Sequence, residues 1–137
     1  NTNLKSKKGR NISNNSLVSL NFYWKSLHKQ VRIEGRAIKI SKEEANKLFS
    51  ERPEGSKIGA WASNQSDNLT ERKELEVKVN QFKEKFKNKK IPRPPYWSGY
   101  RVIPNFFEFW QDMPFRLHDR LEFKKVKNIW KTKKLYP

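Results

Sequence analysis

Two alternations of apolar and polar residues define the first readable part of the chain. Val18, Leu20, Phe22 and Trp24 recur at period two within 16–24, the pattern of a strand with one apolar face. Over 30–37, Val31, Ile33, Gly35 and Ala37 fall on one side, and Arg32, Glu34 and Arg36 on the other. The link 25–29 is short, so the two strands are expected to pair antiparallel. Ile38 and Ile40 reverse the phase, which predicts a bulge or a strand end near Ala37. Ahead of these strands, 1–15 reads as a strand end followed by a short helix.

Helical spacing takes over at Ser41. Ser41-Lys42-Glu43-Glu44 is a capping box, with a hydroxyl and a carboxylate placed to satisfy free amides at a helix start. That helix is expected to reach about Glu51, where Arg52-Pro53 stops it. Residues 55–62 predict one or two further turns, and 63–68 a polar loop. Thr70 is expected to cap another helix through about Phe86, with Leu75, Val79, Phe82 and Phe86 on one face. Residues 91–95 are extended and rigid. Four strands are predicted after them, at 100–103, 106–111, 116–125 and 128–135, with turns at 104–105, 112–114 and 126–128. This order predicts an α+β, mainly β domain on an antiparallel sheet that closes wholly or partly into a barrel.

Charge changes the picture first. The 137 residues hold 31 Lys+Arg against 14 Asp+Glu, a formal charge of +17, which makes a polyanion the first partner class to weigh. The 22 Lys are dispersed beside 13 Asn, as a solvated surface would have them, whereas Arg32, Arg36, Arg52, Arg101, Arg116 and Arg120 sit in structured contexts. Absence of Cys excludes a disulfide scaffold and Cys-ligated metal, and two distant His give no metal site. No apolar run approaches the ~18 residues of a spanning helix. There is no GxGxxG and no GxxxxGK[ST].

Arg116, His118 and Arg120 stand at i, i+2 and i+4, which on a strand places them on one face. That face is either an exposed surface partnered by Asp119 and Glu122, or a site for a phosphate or an anionic ring. Arg52-Pro53-Glu54-Gly55-Ser56 sets a guanidinium and a hydroxyl near a helix start, an arrangement that suits capping or a phosphate.

Longer segments resemble a known family. Gln30-Val31-Arg32-Ile33-Glu34-Gly35, Ser50-Glu51-Arg52-Pro53, Gly59-Ala60-Trp61-Ala62-Ser63-Asn64-Gln65-Ser66, Pro92-Arg93-Pro94-Pro95-Tyr96-Trp97-Ser98-Gly99-Tyr100-Arg101-Val102, Glu108-Phe109-Trp110-Gln111 and Arg116-Leu117-His118-Asp119-Arg120-Leu121 are similar to pyridoxamine 5'-phosphate oxidases, in that family's order and over nearly the whole chain. The resemblance implies an FMN-binding split β-barrel, with 1–137 as the C-terminal part of a single domain, its first strands missing, and a dimerisation region at about 92–137. It implies oxidation of pyridoxamine or pyridoxine 5'-phosphate to pyridoxal 5'-phosphate, with O2 as acceptor and H2O2 as product. The partners it implies are that small-molecule substrate, O2 and a second copy in a cytoplasmic homodimer with FMN at the subunit interface, without nucleic acid, membrane or metal. Position by position, Thr2, Lys7, Lys8, Gln30, Gln65, Ser66, Trp110 and Arg120 match FMN-contacting positions. Arg52 and Ser56 match positions that hold the substrate phosphate, and Arg116 and His118 positions that hold its ring. Leu48 departs from the pattern, standing where the family usually has a phosphate-binding Tyr; Lys7 stands where Arg is more common. Two alternatives remain beside this reading: an FMN-binding relative without oxidase activity, and a basic nucleic-acid-binding domain.

Overall fold

The two alternating segments fold as a hairpin. Strands β2 (Leu17–Trp24) and β3 (Lys29–Lys39) pair antiparallel from Leu17↔Arg36 to Trp24↔Lys29. A 3₁₀ turn over Lys25–Leu27 joins them and ends on His28, whose left-handed φ of 50° reverses the chain. The computed structural model describes residues 1–137, and the hairpin belongs to one of its two compact units, Ser16–Ile38 with Val102–Pro137. This sheet unit is completed by β5 (Tyr100–Gln111), β6 (Asp119–Val126) and β7 (Ile129–Leu135), in the order β2-β3-β5-β6-β7. The sheet is open, with β2 and β7 as its edges. Lys127 and Asn128, both at positive φ, make the two-residue turn between β6 and β7. Gly35 is demanded by the packing, because a Cβ there would run into the Ile103 carbonyl of β5.

Three expectations need correction here. β3 continues without a break through Ala37 to Lys39, and Ile38 lies exposed on its open side, so the reversal of phase is an exposed isoleucine and no strand end. The turn at Pro104-Asn105 is absent: β5 is a single strand over Tyr100–Gln111, since proline's fixed φ suits an extended chain and removes only one donor. The strand expected from Arg116 begins at Asp119. Pro114–Arg116 forms a 3₁₀ turn instead, with Phe115 and Arg116 at φ 59° and 62°.

The other unit, Asn1–Asn15 with Lys39–Arg101, is mostly helical. β1 (Thr2–Asn3) pairs antiparallel with β4 (Trp97–Ser98), and Ser6 caps α1 (Lys7–Asn14) by accepting from the Gly9 amide at 3.1 Å. Ser41 caps α2 (Lys42–Ser50) by accepting from the Glu44 amide, but the Glu44 carboxylate accepts from Arg101 at 2.8 Å, so only the hydroxyl limb of the capping box is seen. α3 spans Glu54–Ala62 and α4 spans Arg72–Phe86. Thr70 is not the cap of α4, which starts after Glu71 without a side-chain cap. Ala45, Phe49, Ile58, Ala62 and Trp97 form the core, with Phe49 edge-on to Trp97 at 5.1 Å. The predicted stripe of α4 is its half-buried face: Phe82 and Phe86 lie 5.8 and 5.6 Å from the Trp61 ring. No helix is long and apolar enough to cross a membrane.

Candidate functional site

Within the sheet unit, Trp110 of β5 stands in register with Arg120 of β6. Both line a cavity of about 640 Å³ together with Gln30 of β3. Its remaining wall is largely apolar, from Trp24, Leu27, Val31, Phe109, Leu121 and Leu135, with Lys29, Gln111, Asp119 and Lys134 supplying polar groups. A largely apolar cavity with a few convergent polar groups is the form of a small-molecule site.

Arg120 is held rather than free. Its Nε donates to Glu108 Oε1 at 3.3 Å, its Nη2 to Glu108 Oε2 at 3.1 Å, and its Nη1 to the Tyr136 carbonyl at 2.9 Å. Arg32 reaches the same Glu108 oxygen from β3 at 3.1 Å, pairs with Glu34, and lies 4.8 Å above the Phe106 ring. Burial pushes the Glu108 carboxyl up, but hydrogen bonds from Arg120 and then Arg32 outweigh it and hold the group below the usual carboxylate range. Two guanidiniums are thus locked around one buried anion, each with donors to spare. Sequence reasoning assigned no role to Glu108; its signal is a lone carboxylate in the run Phe106-Phe107-Glu108-Phe109-Trp110.

Arg116 and His118 are not on a strand with Arg120, so the shared face inferred from their spacing does not exist. Arg116 is exposed at the end of the 3₁₀ turn, and its side chain makes no hydrogen bond or ion pair. His118 is half-buried, its ring 4.6 Å from that of Trp110, so His118, Trp110 and Arg120 are nevertheless neighbours. The His118 Nδ1 lies 3.0 Å from the Asp112 carboxylate and 3.2 Å from the Met113 amide.

The helical unit gathers a second set. The buried Thr2 hydroxyl lies 3.1 Å from Ser6 Oγ and donates to Gln65 Oε1 at 3.3 Å, while the Asn3 amide donates to the same oxygen at 2.9 Å. Gln65 therefore ties its loop to β1, and Ser66 follows in a left-handed turn, φ 74°. Lys7 and Lys8 are exposed on the first turn of α1. Arg52 follows α2, stacks 5.3 Å over Trp97, and has its Nε buried with no hydrogen-bond partner. An orphaned buried guanidinium donor is what a site for an anion presents. Ser56 lies in the first turn of α3, whose start has no side-chain cap, and Leu48 is half-buried on α2.

Residues 1–86 match the family described as pyridoxamine 5'-phosphate oxidase, and residues 97–137 match the pyridoxine 5'-phosphate oxidase C-terminal dimerisation region. The chain belongs to the pyridoxamine 5'-phosphate oxidase family. Relatives named pyridoxine/pyridoxamine 5'-phosphate oxidase include those of Granulibacter bethesdensis, 52% identical over 99% of this chain and 64% of the relative, and Rhodospirillum rubrum, 48% identical over 99% and 68%. The chain thus spans roughly two thirds of the length of the curated family members it matches. Among solved structures it is similar to PhzG of Burkholderia lata, in complex with tetrahydrophenazine-1-carboxylic acid, with a TM-score of 0.92, 34% identity, and coverage of 99% of this chain and 66% of that one. A pyridoxamine 5'-phosphate oxidase-related, FMN-binding protein of Nostoc punctiforme shares the fold at a TM-score of 0.74 and 14% identity, covering 99% of this chain and 71% of that one. The fold is the α+β split barrel of this family, seen here as an open sheet with four helices.

Proposed function

We propose that the chain forms part of a cytoplasmic, FMN-dependent oxidase that converts pyridoxamine or pyridoxine 5'-phosphate to pyridoxal 5'-phosphate, with O2 as acceptor and H2O2 as product. The observation that carries this reading is the cavity in which Gln30, Trp110 and Arg120 meet, the three FMN-matched positions of the sheet unit. When bound, FMN supplies the redox chemistry, accepting a hydride equivalent from the substrate and passing electrons to oxygen. The protein binds and orients. Trp110 and the apolar wall offer a surface for a ring, and Arg120, pre-aimed by Glu108, offers donors to its polar edge. Thr2, Lys7, Lys8, Gln65 and Ser66 are the helical unit's share of the cofactor residues. Arg52, with its orphaned Nε, and Ser56 are assigned to the substrate phosphate, and Arg116 and His118 to its ring. The match of residues 97–137 to a dimerisation region supports a homodimer, and we place FMN at its subunit interface.

The separate roles give separate outcomes. In the full-length protein, Arg116→Ala is expected to lower kcat/KM at least tenfold while FMN stays bound, and Arg120→Ala to lose FMN on gel filtration. Normal turnover of Arg116→Ala removes that residue from the site; unchanged flavin absorbance in Arg120→Ala removes the other. A second reading is an FMN-binding relative without this oxidase activity. Two observations favour it: Leu48 in place of a phosphate-binding Tyr, and the likeness to PhzG. FMN titration followed by a peroxide assay on both phosphorylated substrates decides, because bound flavin without peroxide supports the second reading.

A further inference from the structure

The histidine assigned to the substrate ring is held by a residue that the family resemblance left without a role. The Asp112 carboxylate sits between two imidazoles, with Oδ1 3.0 Å from His118 Nδ1 and Oδ2 3.7 Å from His28 Nδ1. Its backbone is fixed as well, since the Asp112 amide donates to the His28 carbonyl at 2.9 Å. The neighbouring Gln111 Nε2 reaches the Leu27 and His28 carbonyls, each at 3.4 Å. The end of β5 is thereby stapled to the β2–β3 connection. Trp110 fixes the plane of the His118 ring, at 4.6 Å and 44°.

We propose that Asp112 is the positioning residue of His118: its carboxylate accepts from Nδ1–H and leaves Nε2 as the ring's only nitrogen available to a ligand. The proposal rests on the reading that His118 meets the substrate. Nδ1 has two neighbours with opposite demands. The Met113 amide donates to Nδ1 at 3.2 Å, a hydrogen bond that favours a bare Nδ1; the carboxylate, 3.0 Å away as an ion-pair contact, is an anionic acceptor and favours Nδ1–H. A bare Nδ1 would set its lone pair against a carboxylate oxygen 3.0 Å away, which is repulsive, whereas a proton on Nδ1 is attracted to that anion. The anion therefore decides the tautomer, and a neutral His118 presents Nε2 as an acceptor. An acceptor in that position suits a substrate group that carries a proton, a ring hydroxyl or an exocyclic amine or alcohol.

The test is the tautomer itself. Long-range ¹H–¹⁵N spectra of the FMN-loaded full-length protein, recorded with its imidazole rings neutral and with His118 assigned by its loss in His118→Gln, are expected to show Nδ1–H at His118. In Asp112→Ala only the Met113 amide faces Nδ1, so the ring is expected to switch to Nε2–H, and Asp112→Glu is expected to restore Nδ1–H at least in part. Over the same series kcat is expected to fall in Asp112→Ala by roughly tenfold to a hundredfold, the range of one charge-assisted hydrogen bond, with KM changed less. Wild-type protein showing Nε2–H overturns the proposal without any variant being needed, and so does the same tautomer in wild type and Asp112→Ala. If the tautomer switches as expected but His118→Gln oxidises both substrates normally, Asp112 does position the ring, and the assignment of His118 to the substrate is what fails.

Discussion

At the scale of single residues, the site is organised by anions as much as by its cations. Glu108 is 5% exposed and receives three hydrogen bonds from two arginines. Replacing the carboxylate by an amide leaves Arg32 and Arg120 facing a neutral neighbour with one acceptor oxygen in place of two, beside the Tyr136 carbonyl that Arg120 keeps. Glu108→Gln is expected to cost about 2 kcal/mol at neutral pH, below the usual figure for a buried pair because both arginines are partly solvated. The sign with pH follows from the depressed carboxyl. Its contribution is fully present above the ordinary value of 4.5 and is lost as pH falls through the lower, folded-state value. Urea midpoints of wild type and Glu108→Gln should therefore differ at pH 7 and converge in acid. A constant gap across that range would mean that Glu108 acts by shape alone. The cations can be named from the sequence because arginine at a motif position is conspicuous. The buried partner is hidden, since nothing in Phe-Phe-Glu-Phe-Trp states that the carboxylate points inward.

At the scale of elements, local pattern predicts well wherever one face of an element meets a core. The Leu75, Val79, Phe82 and Phe86 stripe is legible because helical spacing and burial coincide on α4. The β2–β3 hairpin is legible because period two and a short link coincide. The stretch between Gln111 and Asp119 is not. Its turn relies on Phe115 and Arg116 at positive φ, a conformation that glycine or asparagine would have advertised and these residues do not. Spacing alone then places Arg116 and His118 on a strand that begins three residues later. Gly35 shows the reverse case, in which an unremarkable strand position is sterically demanding. Gly35→Ala would press a Cβ into the β5 backbone at Ile103, where no side chain can swing aside. A loss of about 1–3 kcal/mol is expected, read as a lower urea midpoint with unchanged slope. A neutral Gly35→Ala would show that β3 and β5 separate at little cost.

At the scale of the whole molecule, charge and apolar surface pull in opposite directions. The sheet unit has one buried apolar residue, Ala37, whereas Leu20, Phe22, Trp24, Ile103, Phe109, Leu121 and Trp130 stay exposed. A contiguous apolar face of this kind, at the edge of an open sheet, drives association. The net charge of +17 opposes it by repulsion between copies. Salt screens the repulsion, with a Debye length of about 8 Å at 0.15 M, and leaves the apolar attraction in place. Residues 1–137 prepared alone are therefore expected to self-associate, and to do so more strongly as salt is raised. A complex of this cationic chain with a nucleic acid would weaken under the same change. Sedimentation velocity from about 0.05 to 0.5 M NaCl separates the two behaviours. Leu20→Ser with Phe22→Ser, which removes apolar area from β2 and leaves the charge untouched, is expected to shift the distribution towards monomer at every salt concentration. A wild-type chain that stays monomeric throughout, or a double variant that associates as strongly as wild type, would show that this face does not drive assembly.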